Sequence, residues 1–212
     1  MPGRYWSSPG DDVLVCAGSR DKLGRGVAHL ALPSDYVRDG RIHLLPGNVY
    51  SAYPQALHSL FTYAFYMSGE RGVMLFCWML SVLACGTLYC VGTRIGGRRA
   101  GILAIAFLAT APIFISQAGT VAIDLPLAGV VLGVVLSLVI WQQERGSTWL
   151  VIAGVLVGYG CGIRHTGYVV LVLCALGVLL EGRNVKWTSI FMLAGLLAAA
   201  PWFLRSYLLV GN

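Results

Sequence analysis

The chain has 212 residues, 57% of them hydrophobic and only 11% charged, with a net charge of +6. Soluble domains carry roughly 25% charged residues, so the composition excludes an ordinary soluble domain, and long apolar runs without a polar face exclude a soluble helical bundle. The positive charge is not a nucleic-acid signal: its densest cluster, Arg94, Arg98 and Arg99, lies between two apolar runs, where basic residues set membrane orientation.

Residues 1–26 are rich in Gly, Ser, Arg and Asp and carry no helical or strand period, which predicts an irregular or disordered segment. They lack the apolar stretch of a cleavable signal peptide. Residues 27–71 mix Pro, Gly, His and aromatics with apolar residues, which predicts an ordered extracytoplasmic loop with short helices at the membrane face. Tyr50, Tyr53, Tyr63 and Tyr66 suit an interfacial aromatic belt, and 55–68 reads as a helix entering the surface.

Residues 72–212 predict an all-α transmembrane bundle of about six spans, near 73–93, 100–119, 125–142, 148–163, 166–180 and 188–204. The fourth and fifth are short for a hydrocarbon core of ~30 Å. The loops 94–99, 142–147 and 181–187 hold Arg94, Arg98, Arg99, Arg145, Arg183 and Lys186, which the positive-inside rule places in the cytoplasm. Asp124, Arg164, His165, Arg205 and the whole segment 27–71 then share the opposite face. Cys77, Cys85, Cys90, Cys161 and Cys174 lie in apolar runs and read as small packing residues; no CxxC occurs.

Four features carry chemistry. Asp124 is the only acid between Glu70 and Glu144. It reads either as a base or cation ligand at the mouth of a bundle or as the N-cap of the helix that follows. Arg164, His165 and Thr166 offer a guanidinium fork for a phosphate, or a turn whose arginine snorkels to the interface. His58 reads as a base, a metal ligand or a surface residue of an amphipathic stretch; His29 and His43 read as surface residues more strongly still. Gly154, Gly158 and Gly162 form a stripe that permits close helix approach. No HxxxH or HExxH spacing supports a metal site. A transporter or channel would bury charges inside its spans, and these spans carry none.

HLALPSDYVRDGRIHLLPGNVYSAYPQALHSL resembles the first large outer loop of bacterial GT-C superfamily glycosyltransferases of the protein mannosyltransferase-like and lipid A aminoarabinose transferase-like kind. GRRAGILAIAFLATAPIFISQAGTVAIDLPLA is similar to their next two spans, GVLVGYGCGIRHTGY to a following turn, and APWFLRSYLLVGN to a later block. The four occur in family order over residues 27–212. The resemblance implies a polyprenyl-phosphate-linked sugar donor, a sugar, lipid or protein acceptor, contact with membrane lipid, and residence in a bacterial inner membrane. It implies that Asp124 is a catalytic acid orienting the acceptor or a divalent metal, that Arg164, His165 and Arg205 hold the donor phosphate, and that His58 lines the outer loop.

The pattern departs from the family in the first loop. Gly24 and Ala28 stand where an aspartate and a tyrosine are expected, and His58 stands where a glutamate is expected. These departures, and the absence of further family segments at either end, predict an internal fragment or a non-catalytic pseudoenzyme as the alternative to an active transferase.

Overall fold

A computed structural model of the protein describes residues 26–45, 49–118 and 120–210. The expectations for residues 1–25, including the one attached to Gly24, lie outside the described residues. Among those described, the fold is all-α, as the sequence predicts: α1 (Gly26–Asp39), a 3-10 turn (Val49–Ala52), α2 (Ala56–Thr110), α3 (Pro112–Ala118), α4 (Asp124–Glu144), α5 (Ser147–Ile163), α6 (Thr166–Gly182) and α7 (Val185–Val210).

The 55 residues of α2 are three rods joined by two sharp turns, at Ser68–Gly69 and at Gly97, where both glycines have positive φ (63° and 76°). The first turn brings Gly72 back beneath Ala64: a Cβ on Gly72 would meet the Ala64 carbonyl oxygen at 2.5 Å. At the second turn the chain reverses, because a Cβ on Gly92 would lie 2.8 Å from the Cα of Gly101. Nine residues of straight helix would separate those positions by ~13 Å. Only glycine adopts such φ values without steric cost. The rods are therefore an outer helix (56–67), a first crossing (70–96) and an arm (98–110) that α3 extends.

Five of the six expected spans are helical throughout, and the second is helical over 100–110 and 112–118. Three helices are long and apolar enough to cross a membrane, Ala56–Thr110, Asp124–Glu144 and Val185–Leu209, while Ser147–Ile163 and Thr166–Gly182 are shorter apolar helices. The second span is not continuous: it breaks at Ala111, whose φ/ψ are extended (−70°, 123°), and restarts at Pro112. Proline has no N–H to continue a helix and pushes the residue before it out of the α region. The sixth span runs on through Arg205 to Val210, so Arg205 is a helical residue and not part of a loop. The chain is an integral multi-pass membrane protein.

The glycine stripe does what its spacing predicts. A Cβ at Gly154 or Gly158 of α5 would collide with the carbonyl oxygen of Phe191 or Gly195 of α7, and one at Gly162 would meet the Trp202 ring. Without side chains between them the two backbones touch, which is how helices associate in lipid. Around this contact Val134, Trp141, Leu150, Val157, Val178 and Phe191 form one buried core. A second core of Ala56, Leu57, Phe61, Val73, Val121 and Ile163 seats the outer helix on the bundle.

The cysteine expectation needs one correction. Cys77 and Cys161 are buried, but Cys90 is exposed on the first crossing and packs against nothing in the core.

The three basic loops gather at one end. Arg94 donates to Gln143 (Nη1–Oε1, 2.8 Å) and lies 3.7 Å from Glu144, Arg145 pairs with Glu181 (2.6 Å), and the Arg145 guanidinium sits 5.1 Å from the Trp141 ring centroid. Arg145 and Arg183 end α4 and α6 in the left-handed conformation. Part of the basic charge is thus spent on tying turns together.

Candidate active site

The opposite end of the bundle is built from three turns and the outer layer. Asp124 opens α4, Arg164 and His165 form the tight turn between α5 and α6, and Tyr53 and His58 come from the stretch around the start of α2. The cap of α4 is Ile123, with no side-chain cap hydrogen bond. The N-cap reading of Asp124 is therefore overturned. Its carboxylate instead accepts a hydrogen bond from Arg164 Nη1 in an ion pair, both side chains being about half exposed (51% and 50%). The arginine that the sequence left between phosphate ligand and snorkelling turn residue is held over the bundle mouth by an acid 40 positions earlier.

The turn holding Arg164 is short because the chain reverses within it. Arg164 takes an extended conformation (φ −154°, ψ 148°), its N–H donates to the Gly160 carbonyl, and the Gly167 N–H donates back to the Arg164 carbonyl (2.9 Å). Gly167 has no room for a side chain, since a Cβ would meet Cys161 N at 2.5 Å. Tyr159 Oη donates to the Ala56 carbonyl across 3.3 Å, linking α5 to the first residue of α2. His165 lies edge-on to Tyr53, their ring centroids 5.3 Å apart. The arginine, the histidine and the aromatic belt therefore meet.

His58 does not stand alone. Its Nε2 is 3.3 Å from Nδ1 of His29 on α1, a hydrogen bond between rings, and its ring also packs against Phe61. Both histidines precede the first crossing. Burial, with a smaller push from the neighbouring His29, lowers His58 to about 4. Burial also lowers His29, against a raising influence of Asp124 and alongside a lowering one from Arg164. His29 therefore senses both members of the ion pair, which puts the two histidines and the pair in one electrostatic neighbourhood. His43 is elsewhere, half-buried, with Nε2 3.4 Å from the Asp39 carboxylate and its ring against Tyr36.

Arg205 lies one turn beyond Trp202, whose ring packs on Gly162 two residues before Arg164. Its Nη1 and Nη2 are buried with no hydrogen-bond partner among the described residues, and so is the Ser206 hydroxyl beside it. Buried guanidinium groups in proteins are normally paired, so these donors call for an anion.

Sequence reasoning set His29 aside and treated Tyr53 as belt alone. No local spacing points to either, since His29 is 29 positions from its partner and Tyr53 more than a hundred from His165. Among the described residues no three His, Cys, Asp or Glu side chains come together to hold a metal ion. The histidine pair has no third ligand among the described residues, so those residues do not fit a resident divalent metal.

A family model described as dolichyl-phosphate-mannose-protein mannosyltransferase matches residues 53–205, enclosing His58, Asp124, Arg164, His165 and Arg205. Comparisons with curated proteins and with solved structures gave no match. A match over most of the chain, on a bundle of apolar helices, makes this a GT-C-type membrane glycosyltransferase by descent. The chain belongs to the dolichyl-phosphate-mannose-protein mannosyltransferase family.

Proposed function

We propose that the Asp124 end is the extracytoplasmic reaction face, where a sugar passes from a polyprenyl-phosphate-linked donor to an acceptor hydroxyl. The observation that carries this reading is the Asp124–Arg164 pair, which sets an acid beside a guanidinium at one end of the bundle, flanked by His165 and Tyr53. The basic turns at the other end support the orientation.

In the reaction the acceptor oxygen forms a bond to the anomeric carbon as the bond from that carbon to the phosphate oxygen breaks. The electron pair of the broken bond stays on the phosphate, and the single displacement inverts the anomeric centre. Asp124 takes the hydroxyl proton, which a neutral hydroxyl must lose to become a competent nucleophile. Arg164 holds the lipid phosphate through its planar fork, with His165 beside it. Arg205, whose terminal nitrogens are unpaired, supplies a second cationic contact for the same phosphate. In the resting site Asp124 and Arg164 neutralise each other, and arrival of the phosphate draws Arg164 away and releases the carboxylate.

The test is transfer of radiolabelled sugar from a polyprenyl-phosphate donor in membranes carrying the chain. An unchanged rate in Asp124→Asn removes Asp124 from catalysis. A second reading, a chain with no transferase activity of its own, is favoured by His58: with its pKa lowered to about 4 it stays neutral, and so lacks the negative charge of the glutamate that the resemblance expects there. His58→Glu without any gain in transfer, in membranes where the protein is folded, supports that reading.

A further inference from the structure

The end of the bundle opposite Asp124 carries more positive charge than its own contacts use. Its three turns hold Arg94, Arg98, Arg99, Arg145, Arg183 and Lys186 against two carboxylates, Glu144 and Glu181. Both carboxylates are taken: Glu144 by Arg94 and by the Trp149 indole (Nε1–Oε2, 2.9 Å), Glu181 by Arg145. These links tie the three turns together, and the middle turn, with Glu144 and Arg145, is neutral. Arg98 and Arg99 on the first turn and Arg183 and Lys186 on the third are exposed, and their side chains have no hydrogen-bond or ion-pair partner among the described residues. Exposed apolar side chains flank each pair, Ile95 beside Arg98 and Arg99, and Leu180 and Val185 beside Arg183 and Lys186. At the third turn Trp187 packs edge-on to Trp141, ring centroids 6.3 Å apart, and indoles concentrate at head-group level.

We propose that the first and third basic turns each grip the phosphate of an anionic phospholipid in the surrounding leaflet. Membrane orientation asks only for positive charge at this end. It does not ask for a neutral middle turn between two unpaired cation pairs. Two cations close in sequence reach one phosphate together, and the arginines offer it a planar fork of donors. The apolar side chains beside them meet the acyl chains of the same lipid, a contact that a soluble phosphate lacks. A zwitterionic head group carries its own cation, which competes with the protein's, so the gain falls to anionic lipid. The gripped lipids hold the basic end at head-group depth. None of this depends on the reading of Asp124 as a base.

The test is native mass spectrometry of the full chain released from bilayers of phosphatidylglycerol and phosphatidylcholine, counting the lipids it retains. Phosphatidylglycerol is expected to be retained in preference, and less of it as salt rises, since salt screens exposed charge; both readings need no variant. Arg98→Gln/Arg99→Gln and Arg183→Gln/Lys186→Gln are each expected to weaken phosphatidylglycerol binding at their own turn roughly 30-fold, about five-fold per cation. Arg145→Gln/Glu181→Gln removes an ion pair and no net charge, and Arg38→Gln/Arg41→Gln removes two cations from the outer layer. Both are expected to retain phosphatidylglycerol as the unmodified chain does. Equal retention of the two lipids, indifference to salt, or an equal loss in the outer-layer variant overturns the proposal. So does displacement of the bound lipid by glycerol 3-phosphate, which would make the sites receptors for a soluble phosphate.

Discussion

Arg164 grips the carboxylate of Asp124 and so joins the α5–α6 turn to the first residue of α4, two outer turns that touch at this pair. Half-exposed ion pairs contribute little to stability, about 0–1 kcal/mol. Conserving this geometry for stability alone would gain almost nothing. Asp124→Asn is therefore expected to shift the melting midpoint hardly at all while lowering transfer roughly 10²–10⁴-fold, the usual loss for a general base. The double variant Asp124→Asn/Arg164→Gln is expected to lose less than the sum of its parts, because the two groups act together. Parallel melting and transfer assays check both.

Arg205 gives the opposite signature. A buried charge without a partner costs stability, and its terminal nitrogens have none among the described residues. Arg205→Met is expected to raise the melting midpoint of the ligand-free protein and at the same time raise KM for the polyprenyl-phosphate donor. A variant that melts lower, with donor KM unchanged, would place Arg205 in the scaffold.

The histidine pair sets a pH dependence. Burial lowers the folded pKa of His58 to about 4 from 6.5, and His29 shifts the same way. The unfolded chain therefore binds more protons between those values, and stability rises with pH across the window. The contribution is fully present above pH 6.5 and is lost as pH falls toward 4, where two cationic rings 3.3 Å apart would repel. Melting curves in detergent across this range are expected to show the loss, and His58→Gln to flatten it.

The contact between α5 and α7 is expected to tolerate no side chain. Gly158→Val drives a methyl-bearing carbon into the Gly195 carbonyl. Overpacking of this kind costs typically 1–3 kcal/mol, and here the obstacle is backbone, which does not swing aside. Unfolding in mixed micelles measures it. Gly177→Val, on the neighbouring helix with open space around it, is the control expected to stay near wild type.

The orientation is checked with Thr120→Cys and Arg98→Cys, labelled in intact vesicles by a membrane-impermeant maleimide after Cys16 and the exposed Cys90 are changed to Ser. Opposite-side labelling of the two positions is expected. Labelling from one side would separate Asp124 from the face assigned to it.

The crossings were readable because lipid imposes an unbroken apolar run on each, and the glycine stripe because close approach in lipid demands small residues at every fourth position. The reversal at Gly97 followed from a basic, glycine-containing loop between two such runs. The break at Ala111–Pro112 was missed within an apolar stretch, although proline marks it. The site was readable only in its members. Asp124 and Arg164 stood out as charges at span ends, but their pairing depends on how α4 meets α5, which no local spacing encodes. His29 was invisible for the same reason: its partner lies on another helix, and only the fold of the outer layer brings the two rings together.

The two shortest crossings, α5 and α6, have 17 residues each. Upright, such a helix rises ~25 Å against a hydrocarbon thickness of ~30 Å, and any tilt shortens its reach. In the orientation proposed above, with their basic ends at one surface, the turn carrying Arg164 would stop several ångströms below the other, with Asp124 beside it on the floor of a shallow dip. A reactant dissolved in the membrane slides onto that floor laterally, while one arriving from water must descend past head groups to reach it.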